Sequence, residues 1–230
     1  MDDLFSDRPL SGRAPSRADL ARIAASGSAC HLLDCDLADA DLSDLDLSGW
    51  TFERCDLRRA DLAGAKLDAT RWRSCRGAMA SFIGAGLADA AFVASDFNNC
   101  VLRRAKLAGA SFERCKLTGA DLSDAAALNI RFEETLLINA RLPGLSFRKE
   151  MLRQLDFGHA DLRKCDFRDA VFVDCSLRGA HMAGCRFEGA DLRGADLGGL
   201  RLVDSTQFRG AVISREQAAG LLSELGLAVR

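Results

Sequence analysis

From Leu32 onward an apolar side chain recurs at every fifth residue: Leu37, Leu42, Leu47, Phe52, Leu57, Leu62, Leu67, Trp72, and on without a slip to Leu202. Only Gly77 and Ala127 interrupt this series of Leu, Phe, Met and Trp. Two residues before each centre the chain is mostly small, as at Ala40, Cys55, Ala60, Ala85, Cys100, Ala120, Ala160 and Ala190. The residue between is often Asp, as at Asp36, Asp41, Asp61, Asp121, Asp161 and Asp191. Five residues advance an α-helix by about 500°, which would scatter the centres around its axis. A flat strand fails as well, because an odd step alternates faces. A chain that turns a corner every five residues brings every centre to one axis.

This pattern resembles the pentapeptide-repeat family, whose repeat is written A(D/N)LXX, over residues 30 to about 204. The resemblance implies an all-β fold, a right-handed quadrilateral β-helix with four pentapeptides per coil, here about nine coils. Taken every twenty residues, one set of centres reads Leu32, Phe52, Trp72, Phe92, Phe112, Phe132, Leu152, Phe172, Leu192. A neighbouring set reads Leu42, Leu62, Phe82, Leu102, Leu122, Leu142, Leu162, Met182, Leu202. Aromatics gather mainly in the first column, so Phe52, Trp72, Phe92, Phe112, Phe132 and Phe172 are the expected core. No coil can bury its own centres; stacking at the ~4.8 Å strand spacing does so, which makes nine coils roughly 43 Å long.

Departures from the pattern mark the places to inspect. Gly77 and Ala127 predict thin spots in the core. Glu150 falls on a small inward position, where an unpaired carboxylate is costly, and residues 148–154 read more like a helical turn or bulge than a corner. Both ends read as caps. Ser16 is a candidate N-cap for a helix with Leu20, Ile23 and Ala24 on one face, giving a capping segment over 16–29 after a disordered stretch over 1–15. Ser214-Arg-Glu-Gln217 has the form of a capping box. It opens a C-terminal helix within 210–230 that ends at Gly226, and the repeats between span 30–209.

Composition removes several functions. Lys plus Arg (31) nearly balance Asp plus Glu (33), for a net charge of −2, so charge points to no nucleic-acid partner. No apolar run is long enough for a membrane span, and no secretory leader is read at the N-terminus, which places the chain in the cytoplasm. The nine cysteines (30, 35, 55, 75, 100, 115, 165, 175, 185) all fall on the small inward position. They read as reduced thiols standing in for alanine. No C-x-x-C, G-x-x-x-x-G-K or H-E-x-x-H occurs, and His159 and His181 point outward. The expectation is no enzyme, no metal and no cofactor.

Function then falls to the outer surface. Asp34, Asp36, Asp39, Asp41, Asp44 and Asp46 crowd the first coil with no Lys or Arg among them and form a candidate acidic recognition surface. The C-terminal segment, Gly210 to Val229, resembles that of the quinolone-resistance (Qnr and Mfp) group of the family: a capped helix, a Leu-Leu pair, Leu-Gly and an apolar tail. That resemblance implies a homodimer through Ala218, Leu221, Leu222, Leu225, Leu227 and Val229. It also implies a DNA-mimicking surface that binds DNA gyrase or topoisomerase IV and protects it from fluoroquinolone-like inhibitors or toxins. Against it stand the unbroken register and the charge: about 43 Å of duplex presents about 25 phosphates. A general protein-interaction scaffold or adaptor is the alternative.

Overall fold

The computed structural model describes residues 10–200, 205–224 and 226–229. Its elements are β1 (Leu10–Ser11), α1 (Arg17–Ala25), β2 (His31–Leu33), β3 (Thr51–Glu53), β4 (Arg71–Arg73), β5 (Ala91–Val93) and β6 (Ser111–Glu113). After these come β7 (Arg131–Glu133), β8 (Met151–Arg153), β9 (Val171–Val173), β10 (Cys175–Ser176), β11 (Ala195–Asp196), a 3-10 turn (Ser205–Phe208) and α2 (Arg215–Glu224). The chain divides into two units, Met1–Arg131 and Phe132–Arg230. In both, parallel strands stack as a β-solenoid, about nine turns in all, as the five-residue period requires.

Each pentapeptide repeats one local solution. The centre and the residue two before it are buried, and the others face out. On most sides the centre's carbonyl accepts the N–H three residues on, as in Ala40 N–H to Leu37 (3.1 Å) and Ala60 N–H to Leu57 (3.0 Å). In its type II form such a turn has a left-handed residue at its third position. That residue is the one two after the centre, and every such position from Asp34 to Gly189 has positive φ. Many are not glycine, so each stores strain that glycine would relieve. Ala94 (φ 50°) is exposed, and Ala94→Gly is expected to raise stability by about 1 kcal/mol. Ala90, fully buried four residues earlier, is expected to respond oppositely to Gly, losing about 1 kcal/mol. The shift in urea midpoint distinguishes them; two shifts of the same sign would remove the strain argument.

In the first unit β1 to β6 pair in parallel and in order, and from β2 onward they join residues twenty apart: Leu32 to Phe52, Phe52 to Trp72, Trp72 to Phe92, Phe92 to Phe112. Their rings form a stack, with centroids 4.0, 5.3 and 4.7 Å apart between Phe52, Trp72, Phe92 and Phe112 and planes within 9° of parallel. The second unit pairs β8 with β9 and β10 with β11. Here Leu152 stands between Phe132 and Phe172. Both rings are buried, and the continuous stack moves to another column: Phe147, Phe167, Phe187 and Phe208, 4.9–5.0 Å apart. The mainly aromatic column read from the sequence therefore gives the ring stack of the first unit, while in the second another column does so. From Phe187 to Phe208 the step is one residue longer than a coil, and Leu202, the last expected centre, lies outside the described residues.

Several expectations are corrected. Gly77 is no thin spot, because a Cβ there would overlap the ring of Phe97 from the next coil, which already fills the space. At Ala127 the centre is only half-buried and Leu128 beside it is 73% exposed, so the core does thin there. Residues 148–154 form neither helix nor bulge. They make an ordinary corner and strand β8, and Glu150 keeps its backbone bonds to Phe147 and Val171 while its side chain reaches solvent. Leu10 and Ser11 already pair with β2, within the stretch through residue 15 that was expected to be disordered.

Candidate functional site

Asp is common in the repeat because its carboxylate closes the turn. Asp36, Asp41, Asp61 and Asp161 each accept the N–H two residues on, at 3.0–3.2 Å, an arrangement short polar side chains favour. Where that next residue is Arg, the same carboxylate also takes its guanidinium. Asp56–Arg58, Asp161–Arg163, Asp166–Arg168 and Asp191–Arg193 are two-pronged pairs with N–O distances of 2.5–2.9 Å. The spacing Asp-apolar-Arg carries this signal in the sequence, and the reading above missed it.

The six aspartates of the first coil are gathered as expected, but they are not a bare acidic field. Arg54 grips Asp34 at 2.8 and 2.9 Å, Arg59 grips Asp39 at 2.6 Å through both nitrogens, Lys66 reaches Asp46 at 3.1 Å, and Arg17 of α1 reaches Asp41 at 2.8 Å. Three of these bases stand twenty residues on, directly across the coil step. Among the described residues only Asp36 and Asp44 of the six lack an ion pair. The Arg54 and Arg59 hydrogen bonds hold the carboxyls of Asp34 and Asp39 below the usual carboxylate range. Ser43 does so for Asp41, and Ser48, then Lys66, for Asp46.

These depressed values make the first coil acid-sensitive. A group whose folded value lies below its unfolded one stabilises the fold above the unfolded value, about 3.9 for Asp, and loses that contribution as pH falls through the folded value. Amide protection over residues 31–49, corrected for intrinsic exchange, is thus expected to drop as pH falls below about 4. Unchanged protection would show that the pairs hold nothing in place.

Each helix bonds to a neighbouring coil through one planar donor. Ser16 caps α1 through a reciprocal box with Asp19, and α1 buries Leu20. Arg17 donates to the carbonyls of Asp41 (3.0 Å) and Ser43 (2.8 Å). At α2 the box between Ser214 and Gln217 forms as read, and Gln217 Nε2 donates to Leu192 (2.7 Å) and Ala195 (2.6 Å). Glu224 accepts the Gly199 N–H at 2.9 Å. The six residues read as a dimer interface divide. Ala218 and Leu221 are half-buried, with Leu221 lining a cleft of about 320 Å³ against Ala195, Leu197 and Gly198. Leu222, Leu227 and Val229 are exposed, and Leu225 lies outside the described residues.

The thiols are inward apart from half-buried Cys30. Most donate to a carbonyl of the preceding coil, as Cys55 does to Leu32 (3.3 Å), Cys75 to Phe52 (3.2 Å) and Cys185 to Leu162 (2.9 Å). They therefore do more than replace alanine. Burial pushes the Cys100 thiol up to about 12 and that of Cys115 to about 11, so neither is a ready nucleophile. Of the histidines, His159 and His181 are exposed and His31 meets Glu53 at 3.1 Å. Among the described residues no three His, Cys, Asp or Glu side chains are gathered for a metal, and no helix is long and apolar enough to cross a membrane.

Comparison with known proteins agrees with this geometry. The family described as pentapeptide repeats matches in eight copies, over residues 35–71, 85–124, 130–169 and 170–206. No curated protein matches the chain. Among solved structures, trypsin-treated QnrB1, described as a plasmid-mediated fluoroquinolone resistance protein, superposes with a TM-score of 0.73 at 22% identity, over 85% of this chain and 97% of its own. Full-length QnrB1 gives 0.52 at 18% identity, over 94% and 100%. HetL of the cyanobacterium Nostoc sp., described as involved in heterocyst differentiation regulation, gives 0.58 at 25% identity, over 73% and 78%.

Proposed function

This chain belongs to the pentapeptide-repeat family, and from that premise we propose that it is a non-enzymatic scaffold that binds other proteins through its outer faces. The observation that carries the reading is the cancellation of charge across the coil step. The most acidic coil is matched by Arg54, Arg59, Lys66 and Arg17. A surface that imitates duplex DNA needs unopposed negative charge along its length. Charges already paired give little long-range field, so recognition rests on shape and on short-range contacts. HetL, described as involved in heterocyst differentiation regulation, is a solved structure of similar fold in keeping with this reading.

Topoisomerase binding is the second reading, favoured by the likeness to QnrB1 over nearly all of that protein's length. A gyrase supercoiling assay with and without a fluoroquinolone separates the two. The scaffold reading expects neither inhibition nor protection at a tenfold excess of this protein; dose-dependent protection would replace it with the second. The reading includes a homodimer in which Leu222, Leu227 and Val229, apolar and exposed at one end, cover each other. Sedimentation of the intact chain and of Leu222→Lys/Leu227→Lys, which leaves Gln217 in place, tests this. A monomer at micromolar concentration for both would rule the dimer out.

A further inference from the structure

The N-terminal strand covers the end of a column of thiols. Leu10 and Ser11 pair with Leu32 and Leu33, Gly12 N–H donates to Leu33 (3.0 Å), and the Arg13 carbonyl accepts from Asp36 (2.9 Å). Directly under this strand Cys35 Sγ donates to the Leu10 carbonyl at 3.1 Å and is left 1% exposed. Cys55 and Cys75 continue the column, but each lies beneath a complete coil, with Leu32 and Phe52 above them. Over Cys35 there is a two-residue strand paired, among the described residues, on one edge only. Short edge strands open at far lower cost than a solenoid core. Cys35 is thus the buried thiol of this column whose exposure requires no coil to come apart.

We propose that strand β1 is a lid over Cys35, that its opening admits soft electrophiles to the sulfur, and that a group added there holds the lid open. In the reaction with a maleimide, the thiolate attacks an alkene carbon. A sulfur–carbon bond forms, the π pair takes a proton at the neighbouring carbon, and the thiol proton passes to solvent. The adduct has no room beneath the Leu10 carbonyl, which now sits at hydrogen-bond distance from the sulfur. Opening and modification are then linked: whatever favours one favours the other.

The test uses the full chain with Cys30→Ser, which removes the half-buried thiol at the same end. N-ethylmaleimide is the probe, and modified cysteines are mapped by peptide mass spectrometry. Cys35 is expected to react first, with Cys55 and Cys75 protected. Gly12 has φ +64° and donates to Leu33, so Gly12→Pro removes both the geometry and the donor. It is expected to speed Cys35 labelling at least tenfold while the thermal melt stays within a few degrees. Labelled protein should in turn be cut by trypsin after Arg13 at least tenfold faster than unlabelled protein. If Cys55 reacts as fast as Cys35, exposure comes from general unfolding and the lid is wrong. An unchanged Cys35 rate in Gly12→Pro, or unchanged trypsin cleavage after labelling, equally overturns it.

Discussion

Phe112→Asp is expected to leave the first unit without a cooperative melting transition. The ring is 2% exposed and lies flat on Phe92, with centroids 4.7 Å apart, in the same stack as Phe52 and Trp72. Removing a buried aromatic costs about 3–5 kcal/mol. A carboxylate buried in its place adds several kcal/mol more. Against a total stability of about 5–15 kcal/mol for a domain, that sum is decisive. The coils on either side depend on this one for coverage, so the damage spreads. A sigmoidal melt by circular dichroism within a few degrees of the unaltered protein would place Phe112 outside the core.

Gly77→Ala comes next in size, and its effect is expected to reverse in the right partner. A Cβ at residue 77 would overlap the Phe97 ring, with even Cζ only 2.9 Å away. That ring cannot withdraw, because it stands edge-on to Trp72 at 5.9 Å and to Phe92 at 5.2 Å, both nearly perpendicular. Overpacking of this kind costs about 1–3 kcal/mol. Phe97→Leu alone opens a cavity and also destabilises. Together, Gly77→Leu and Phe97→Leu restore two ordinary centres in one column. The pair should be more stable than the sum of its single changes by at least about 1 kcal/mol. Additive losses in a denaturant titration would mean that the two sites do not share the space.

The same pair shows what a sequence can and cannot convey here. The period was legible because every fifth residue meets the same surroundings, so even the order of columns could be read off Leu32, Phe52, Trp72 and Phe92. Gly77 was read as a gap because the period describes each centre alone, whereas filling depends on which way the next coil's side chain leans. Glu150 was misread for the related reason that a position's average direction does not bind a long polar side chain, which swings out while its backbone keeps register. The acidic coil failed differently. Asp34, Asp39 and Asp46 stand out along the chain, but their bases stand twenty residues on, and a linear scan sees a cluster where the fold makes pairs. Gln217 was recognised for its own helix, and its second task, at Leu192 and Ala195, appears only when helix and coil are brought together.

Both tryptophans, Trp50 and Trp72, are buried in the first unit, and the chain has no tyrosine. Intrinsic emission therefore reports on residues 1–131 and is silent about the rest, whereas the far-ultraviolet dichroism of the strands sees both units. One protein, unlabelled, thus carries its own two-colour reporter: if the emission and dichroism curves separate in urea, the two halves of the solenoid unravel in turn, and the order in which they go can be read directly.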